Sequence, residues 1–253
     1  MDETPWTQVN IAFPGHDARE RERHAVAHLA RVLPAAEANG LTSWWFIRKG
    51  SWRVRYLTAE PATSRTACPV HRLLTRGVDW TGDIYEPEIH AFGGPAGMDS
   101  AHGLFHADSR HLLSFLSGTP TDRRERSLIL CTAFMRAAGL ELEEQGDVWA
   151  RIAERRAPLR GEPPATWASF TGDVRRLLLG KVHPDAIAGD WLAAFEEAGR
   201  QLKDLRERGR LTRGIRAVTA HHVIFHWNRI GLMGATQAVL AQAAKEAILG
   251  ADC

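Results

Sequence analysis

The hydrophobic pattern of this 253-residue chain changes character at one place, the segment 92–97 (FGGPAG). Upstream of it, short runs alternate polar and apolar residues, as β-strands with one buried face do. Downstream, apolar residues recur at helical spacing, beginning with Met98, Ala101 and Leu104. Strands first and helices afterwards predict an α+β fold. We expect a small antiparallel sheet from the N-terminal third, with a helical C-terminal two-thirds packed on it as a single domain over residues 1–253.

Individual elements follow from the same patterns. Four strands are predicted at residues 8–13, 44–48, 52–57 and about 82–88. Lys49, Gly50 and Ser51 indicate a hairpin between the second and third strands. A helix is predicted from Asp17 to Asn39, and a short one at 69–75. Downstream helices are predicted at 95–117, 121–138, 143–156, 165–180, 188–208 and 212–248, the last with a break near 231–234.

Composition excludes several classes of function. The net charge is only +2, which gives no case for direct binding of nucleic acid. We find no signal peptide and no apolar run long enough to span a membrane, so a cytoplasmic protein without a membrane partner is expected. The three cysteines, Cys68, Cys131 and Cys253, are scattered along the chain, and their spacing suggests neither disulfides nor a zinc site.

Arginines mark the second hairpin strand. Arg53 and Arg55 are two residues apart and therefore lie on one face of the strand. If a two-residue turn joins the hairpin, Arg48 shares that face together with Trp44 and Phe46. Guanidinium groups beside aromatic rings are costly unless anions or solvent satisfy them. Two interpretations stay open: a solvated face with arginine–carboxylate pairs, or a floor that binds a carboxylate through two parallel hydrogen bonds.

Histidines mark the helical part. His222, His226 and Arg229 follow the i, i+4, i+7 spacing of one helical stripe. Such a histidine pair can ligate a metal, but no acidic or cysteine partner stands nearby in the sequence, so no metal site is predicted. The pair is either bonded within the core or part of a site. His102 and His106, which share another helical face, are interpreted as packing and capping residues.

Three motifs together resemble a known family. They are the strand pair at 44–55 (with FIR and RVR), the segment 85–110 (YEPE through ADSR) and the segment 226–229 (HWNR). The chain is similar over nearly its whole length to the C-terminal, glutamate-elimination domain of lantibiotic dehydratases, in its stand-alone, thiopeptide-type bacteriocin biosynthesis form. It departs from the better-known members at Pro87, where they have an active-site arginine.

The resemblance implies roles for individual residues. Arg53 and Arg55 match the catalytic arginines of the family. Its catalytic histidine lies a few residues before the Asn-Arg pair, and the expected spacing falls on Ile224, so His222 and His226 are both candidates. The implied substrate-binding residues are Arg48, Tyr85, Glu88, Asn228 and Arg229.

The resemblance also implies a reaction. In the family, a partner domain glutamylates Ser or Thr of a ribosomal precursor peptide from glutamyl-tRNA, and this domain eliminates glutamate to leave dehydroalanine or dehydrobutyrine. A histidine base removes the Cα proton while arginines hold the glutamyl carboxylate and stabilise the enolate, without a metal or organic cofactor. The implied partners are the precursor peptide (leader and core) and a glutamylating dehydratase subunit, and a homodimer is left open.

Two alternative functions remain. Related stand-alone proteins join two dehydroalanines in a formal 4+2 aza-cycloaddition that builds the pyridine of thiopeptides. Those proteins have often lost the arginine pair, so Arg53 and Arg55 favour elimination. The other alternative is a catalytically inactive subunit that presents the precursor peptide to a glutamylating partner, and Pro87 favours it.

Overall fold

The computed structural model describes residues 5–60, 67–118, 120–159, 161, 165–180 and 187–251. Its strands are β1 (Thr7–Ala12), β2 (Leu41–Lys49), β3 (Ser51–Thr58) and β4 (Asp79–Asp83). Its helices are α1 (Ala18–Ala38), α2 (Pro69–Leu74), α3 (Pro95–Ser117), α4 (Arg123–Ala137), α5 (Leu142–Arg156), α6 (Trp167–Leu178), α7 (Gly189–Glu207), α8 (Ile215–Ile230) and α9 (Gly234–Leu249). The predicted α+β class, with the antiparallel sheet in the N-terminal part, is confirmed.

The chain divides into two compact units. The sheet unit consists of Met1–Pro87 and Phe105–Pro120, and the helical unit of Glu88–Leu104 and Thr121–Cys253. Helix α3 contributes to both, with residues 95–104 in the helical unit and 105–117 in the sheet unit. That the two units act as a single domain stays a prediction.

The sheet has strand order β2-β3-β1-β4 and is antiparallel throughout. One face carries two rows of residues in register across the four strands, Trp45–Arg55–Gln8–Asp83 and Ile47–Arg53–Asn10–Thr81. The opposite face packs against α1 and α2: Trp44 Nε1 donates to Glu37 Oε1, and the Tyr56 hydroxyl lies 2.9 Å from His71 Nδ1. The second face is therefore covered by helices, and Trp45 and Ile47 on the first face are buried as well.

The hairpin between β2 and β3 corrects one prediction. Arg48 pairs with Trp52 and Lys49 with Ser51, so Gly50 alone forms the apex, at a φ of +75° that glycine adopts without strain. A two-residue turn was assumed, and a shift of one residue moves every side chain to the other face. The prediction that Arg48, Trp44 and Phe46 share a face with Arg53 and Arg55 is therefore wrong. Arg48 instead forms an ion pair with Glu22 of α1.

The fourth strand is also displaced from its prediction. It was expected at about 82–88, but β4 ends at Asp83, where its pairing with Gln8 ends. Pro87 lacks a backbone N–H and cannot donate to a strand ladder. The predicted break near 231–234 is confirmed, because α8 ends at Ile230 and α9 begins at Gly234.

The β2 edge of the sheet is closed by α3. His106 Nδ1 lies 2.9 Å from the Trp44 carbonyl oxygen, and the Phe46 N–H donates to Ser109 Oγ at 3.2 Å. These contacts satisfy backbone groups that an open edge would leave unpaired. The interpretation of His106 as a packing and capping residue is confirmed.

Two further sequence expectations concern cysteines and membranes. Cys68 and Cys131 are buried and neither is in a disulfide, while Cys253 lies outside the described residues. In the part of the chain that the structure describes, no helix is long and apolar enough to cross a bilayer.

Candidate functional site

Arg55 is a cation of the sheet unit that is held at three points. Its Nε–H donates to Gln8 Oε1 at 2.6 Å, across the pairing of β1 with β3. Its guanidinium carbon lies 4.3 Å from the ring centroid of Trp45 and 4.3 Å from that of Tyr85. Only 8% of the residue is exposed. Aromatic faces attract a cation, and an amide oxygen holds its orientation, so Arg55 places a positive charge at a defined point on this face.

A carboxylate completes the Arg55 row. Gln8 Nε2 donates to Asp83 Oδ2 at 2.7 Å, and Asn10 Nδ2 donates to the same oxygen at 3.2 Å. The Asn10 hydrogen bond, then that of the Ile84 N–H, holds the pKa of Asp83 below its ordinary value, and the charges of Arg53 and Arg55 act in the same direction. Asp83 therefore stays ionised, and the row runs guanidinium, amide, carboxylate.

Arg53 differs from Arg55 in its contacts. It is half-buried and in register with Asn10 and Ile47. Its Nε is buried and has no hydrogen-bond partner among the described residues. A desolvated donor without a partner is costly, and an anion bound by the guanidinium would remove that cost. Arg53 is therefore the arginine of this face that is available to a ligand.

In the helical unit, the predicted histidine stripe of α8 points inward. His222 is 3% exposed, His226 1% and Arg229 0%. The His222 ring lies 4.9 Å from the Phe92 ring and 5.0 Å from the Phe134 ring. Burial, followed by the charges of His221 and Arg229, holds the pKa of His222 well below its ordinary value. His222 is therefore an uncharged imidazole among aromatic rings.

His221 is the histidine of α8 that reaches a carboxylate. Its Nε2 lies 2.7 Å from Glu88 Oε2, and its side chain is 15% exposed against 46% for Glu88. It shares the incompletely buried stripe of α8 with Ala217 and Asn228. Sequence reasoning selected Glu88 but not its partner. The signal available in the sequence was the i, i+7 spacing of His221 and Asn228, which places the two residues on one stripe of the helix.

The glycine-rich segment positions Glu88 against α8. Phe92 is fully buried, and its ring contacts those of His221 and Phe225 at 4.8 and 5.1 Å. The chain turns so tightly here that a Cβ on Gly97 would lie 2.0 Å from the Phe92 carbonyl oxygen, which only glycine avoids. The Thr212 N–H then donates to the Gly93 carbonyl oxygen at 2.9 Å. These contacts fix the segment that begins at Glu88.

Residues 6–248 match the sequence model of the family described as lantibiotic biosynthesis dehydratase C-term. The chain belongs to this family. Membership places it in the biosynthesis of ribosomally synthesised and post-translationally modified peptides (RiPPs). A search of curated proteins found no match.

Solved structures agree with the family in fold. The tRNA-dependent lantibiotic dehydratase MibB from Microbispora sp. 107891 is 17% identical with a TM-score of 0.67, covering 98% of this chain and 28% of MibB. TsrL is 17% identical with a TM-score of 0.57, covering 96% of this chain and 95% of TsrL. TbtD, the pyridine synthase from thiomuracin biosynthesis, is 14% identical with a TM-score of 0.60, covering 97% of this chain and 98% of TbtD. This chain thus spans little more than a quarter of MibB.

The residues implied by the lantibiotic dehydratase family divide between the two units. Those in the sheet unit are Arg48, Arg53, Arg55 and Tyr85, and those in the helical unit are Glu88, His222, His226, Asn228 and Arg229. Asn228 Oδ1 accepts from Gln237 Nε2 at 3.1 Å. The family resemblance also predicts that the histidine helix lines the same cleft as the arginines, and this stays a prediction. Among the described residues, no three His, Cys, Asp or Glu side chains are grouped to hold a metal ion.

Proposed function

We propose that this protein is a lyase that eliminates glutamate from glutamylated Ser or Thr residues of a RiPP precursor peptide and leaves dehydroalanine or dehydrobutyrine. The observation that supports it is the arginine pair. One guanidinium is fixed by Gln8 and two aromatic rings, and its neighbour two residues away has a buried Nε without a hydrogen-bond partner among the described residues. Family membership supplies the peptide as the substrate class.

The reaction makes a specific electrostatic demand. A base removes the Cα proton of the modified residue, and the electron pair forms the Cα–Cβ double bond as the Cβ–O bond breaks. The ester carboxyl leaves as a carboxylate, so the released glutamate carries one more negative charge than its esterified form. Fixed cations near that oxygen stabilise the transition state more than the ground state. Arg53 would bind the leaving carboxylate, and Arg55 would supply a fixed positive charge beside it.

Of the histidines of α8, we assign the proton-accepting role to His221. A base working near neutral pH must reach its substrate and stabilise the proton that it takes. Glu88 lies 2.7 Å from the Nε2 of His221 and would stabilise the imidazolium, which leaves Nδ1, buried and without a hydrogen-bond partner among the described residues, as the proton acceptor. His222 is buried, and its lowered pKa opposes protonation. In this proposal, His222 and His226, the candidates for the base that were predicted from the sequence, have a structural role in packing.

The glutamylating step falls to a partner. MibB is named a tRNA-dependent lantibiotic dehydratase, and this chain spans 28% of it. We propose that a glutamylating dehydratase acts on the precursor peptide first and that this chain receives the product. No role in binding the tRNA itself is assigned to this chain, since its net charge is only +2.

Purified protein and a glutamylated precursor peptide test the proposal directly. Mass spectrometry should show loss of the glutamyl group together with the side-chain oxygen, and free glutamate should accumulate. Arg72→Ala removes an exposed arginine of α2 and is the matched control for arginine loss in the sheet unit. Unchanged glutamylated peptide after long incubation with folded protein would reject elimination.

A second candidate is pyridine formation. TbtD, named a pyridine synthase, shares the fold of this chain over 98% of its own length. A cyclase would leave the glutamylated peptide untouched and convert a peptide with two dehydroalanines into one with a six-membered nitrogen ring. A protein that does neither, yet retains the precursor peptide on a column, would be a presenting subunit.

A further inference from the structure

The two edges of the sheet are treated differently. Side chains of α3 close the β2 edge through His106 and Ser109. At the other edge, every one of the five residues of β4 is exposed. Among the described residues, the hydrogen bonds of Asp79–Gly82 go to β1 only. Within the described part of the chain, one edge of the four-stranded sheet is thus covered, while at the other edge the outward backbone N–H and C=O groups of Asp79–Gly82 remain open to pairing.

A second copy of the chain is a poor occupant for the β4 edge. Acidic residues, Asp79 and Asp83, stand at its two ends. Antiparallel pairing of two β4 strands would set Asp79 of each copy against Asp83 of the other, and like charges across a strand pair are destabilising. An extended peptide of different sequence has no such conflict, and its main chain can pair with the open edge.

The strand register connects the β4 edge to Arg53 through one row of paired residues. Thr81, Asn10 and Arg53 form one row on the same face, in which Thr81 is exposed and the other two are half-buried. The neighbouring row is closed by the hydrogen bonds of Gln8 to Asp83 and Arg55. The Thr81 row therefore remains as the accessible path from the edge to an arginine.

The distances suit a glutamylated side chain. A strand added outside β4 would lie about 14 Å from β3, three strand spacings away. A serine glutamyl ester extends about 9 Å from its Cα, and an arginine side chain about 6 Å. Together they span the gap along the surface of the sheet. An unmodified serine, about 2.5 Å long, would not.

We propose that the outer edge of β4 binds the precursor peptide as a fifth strand, with the modified side chain lying over Thr81 and Asn10 toward Arg53. This identification of the peptide rests on the proposed function. Successive side chains of a strand alternate between faces. Peptide residues of one parity therefore face the arginine row, and those of the other parity lie on the side of Trp80, which is 39% exposed and packs edge-on against His71.

Disulfide trapping tests the parity. Thr81→Cys places a thiol on the arginine face, and Gly82→Cys, the matched control, places one on the opposite face. Both are made with Cys253→Ser, since Cys68 and Cys131 are buried. Precursor peptides with natural cysteines replaced by alanine each carry one cysteine, moved along the core. Thr81→Cys should trap peptide positions of one parity, and Gly82→Cys those of the other. Equal trapping at all positions, or none, would overturn the docking.

Backbone methylation provides a test that does not alter the protein. A precursor peptide N-methylated at one residue loses one strand hydrogen bond, which should weaken binding about 3- to 10-fold at every second position and little between them. Helical or absent periodicity would overturn the proposal. Glutamate release without the parity pattern would reject the docking but keep elimination, and the parity pattern without glutamate release would do the reverse.

Discussion

The arginine strand and the histidine helix carry comparable clusters of titratable residues, but they are built in opposite ways. Arg53 and Arg55 share one strand face, on which an amide and two aromatic rings hold Arg55 and an ionised carboxylate, Asp83, lies in the same row. On α8, neighbouring His221 and His222 face a carboxylate and a hydrophobic interior, respectively. A strand places residues two apart on the same face, whereas a helix turns by about 100° at each residue. Adjacent residues of one type therefore need separate functional assignments.

The largest expected effect concerns the arginines. Arg53→Ala and Arg55→Ala should each slow glutamate release about 10²- to 10³-fold, because a developing carboxylate loses a fixed cation. Only Arg55→Ala should also lower stability, by about 1–3 kcal/mol, because Gln8 Oε1 loses its donor in a buried position. Single-turnover release of glutamate and chemical denaturation measure the two effects.

Arg53→Lys sharpens this prediction. A lysine keeps the charge but lacks the planar fork, so partial activity would identify Arg53 as a carboxylate ligand rather than a general source of positive potential. Full activity of Arg53→Ala, with Arg72→Ala also unaffected, would show that the arginine face is not the reaction centre.

The next effect separates the adjacent histidines. His221→Ala should lower the elimination rate at least 10²-fold with little change in stability, because it removes the base at a partly exposed position. His222→Ala should show the opposite pattern, with a loss of about 2–4 kcal/mol of stability from the buried aromatic cluster and a near-normal rate per folded molecule.

Added imidazole provides the decisive readout for His221. It should partly restore His221→Ala, as expected for a missing base, and it should leave His222→Ala unchanged. Loss of activity in a fully stable His222→Ala protein would return the catalytic role to the residue that the sequence predicted.

Arg48 gives a smaller effect, confined to stability. It forms an ion pair with Glu22, and the side chains are 15% and 10% exposed. Arg48→Met should destabilise the protein by about 1–3 kcal/mol, because the Glu22 carboxylate loses its ion pair with Arg48 at a largely buried position. The rate per folded molecule should stay normal, since Arg48 lies on the sheet face opposite Arg53. A rate defect as large as that of Arg53→Ala would show that the face assignment does not govern function.

Particular residues show which features of the structure could be predicted from the sequence and which could not. The switch at 92–97 and the helix 95–117 were predicted correctly, because hydrophobic periodicity over many residues is a strong signal. The sheet face on which Arg48 lies was predicted wrongly, because it depends on whether the hairpin turn consists of Gly50 alone or of two residues. His221 was missed because periodicity shows which residues share a stripe, whereas burial depends on which helices pack against it. Glu88 meets His221 across 133 positions of sequence, a contact that no local pattern encodes.

The smallest expected effect is a dependence of stability on pH that arises from the buried histidines. Burial is the first cause that lowers the pKa of His222, and also of His28 and His106. In the unfolded chain, these imidazoles take up protons as the pH falls through about 6.5, while the folded protein still resists protonation. The unfolded state then binds more protons, so stability is fully present above that pH and falls below it. His222 should contribute at most about 1.4 kcal/mol per pH unit.

Urea denaturation at pH 7.5, 6.0 and 5.0 measures this loss. His222→Met should reduce the slope, whereas His221→Ala should keep it, because burial and not the charge of His221 is the main cause at His222. An unchanged slope in His222→Met would mean that the interior stripe of α8 is not the acid-sensitive part of the molecule, and the contrast between the two neighbouring histidines would then fail.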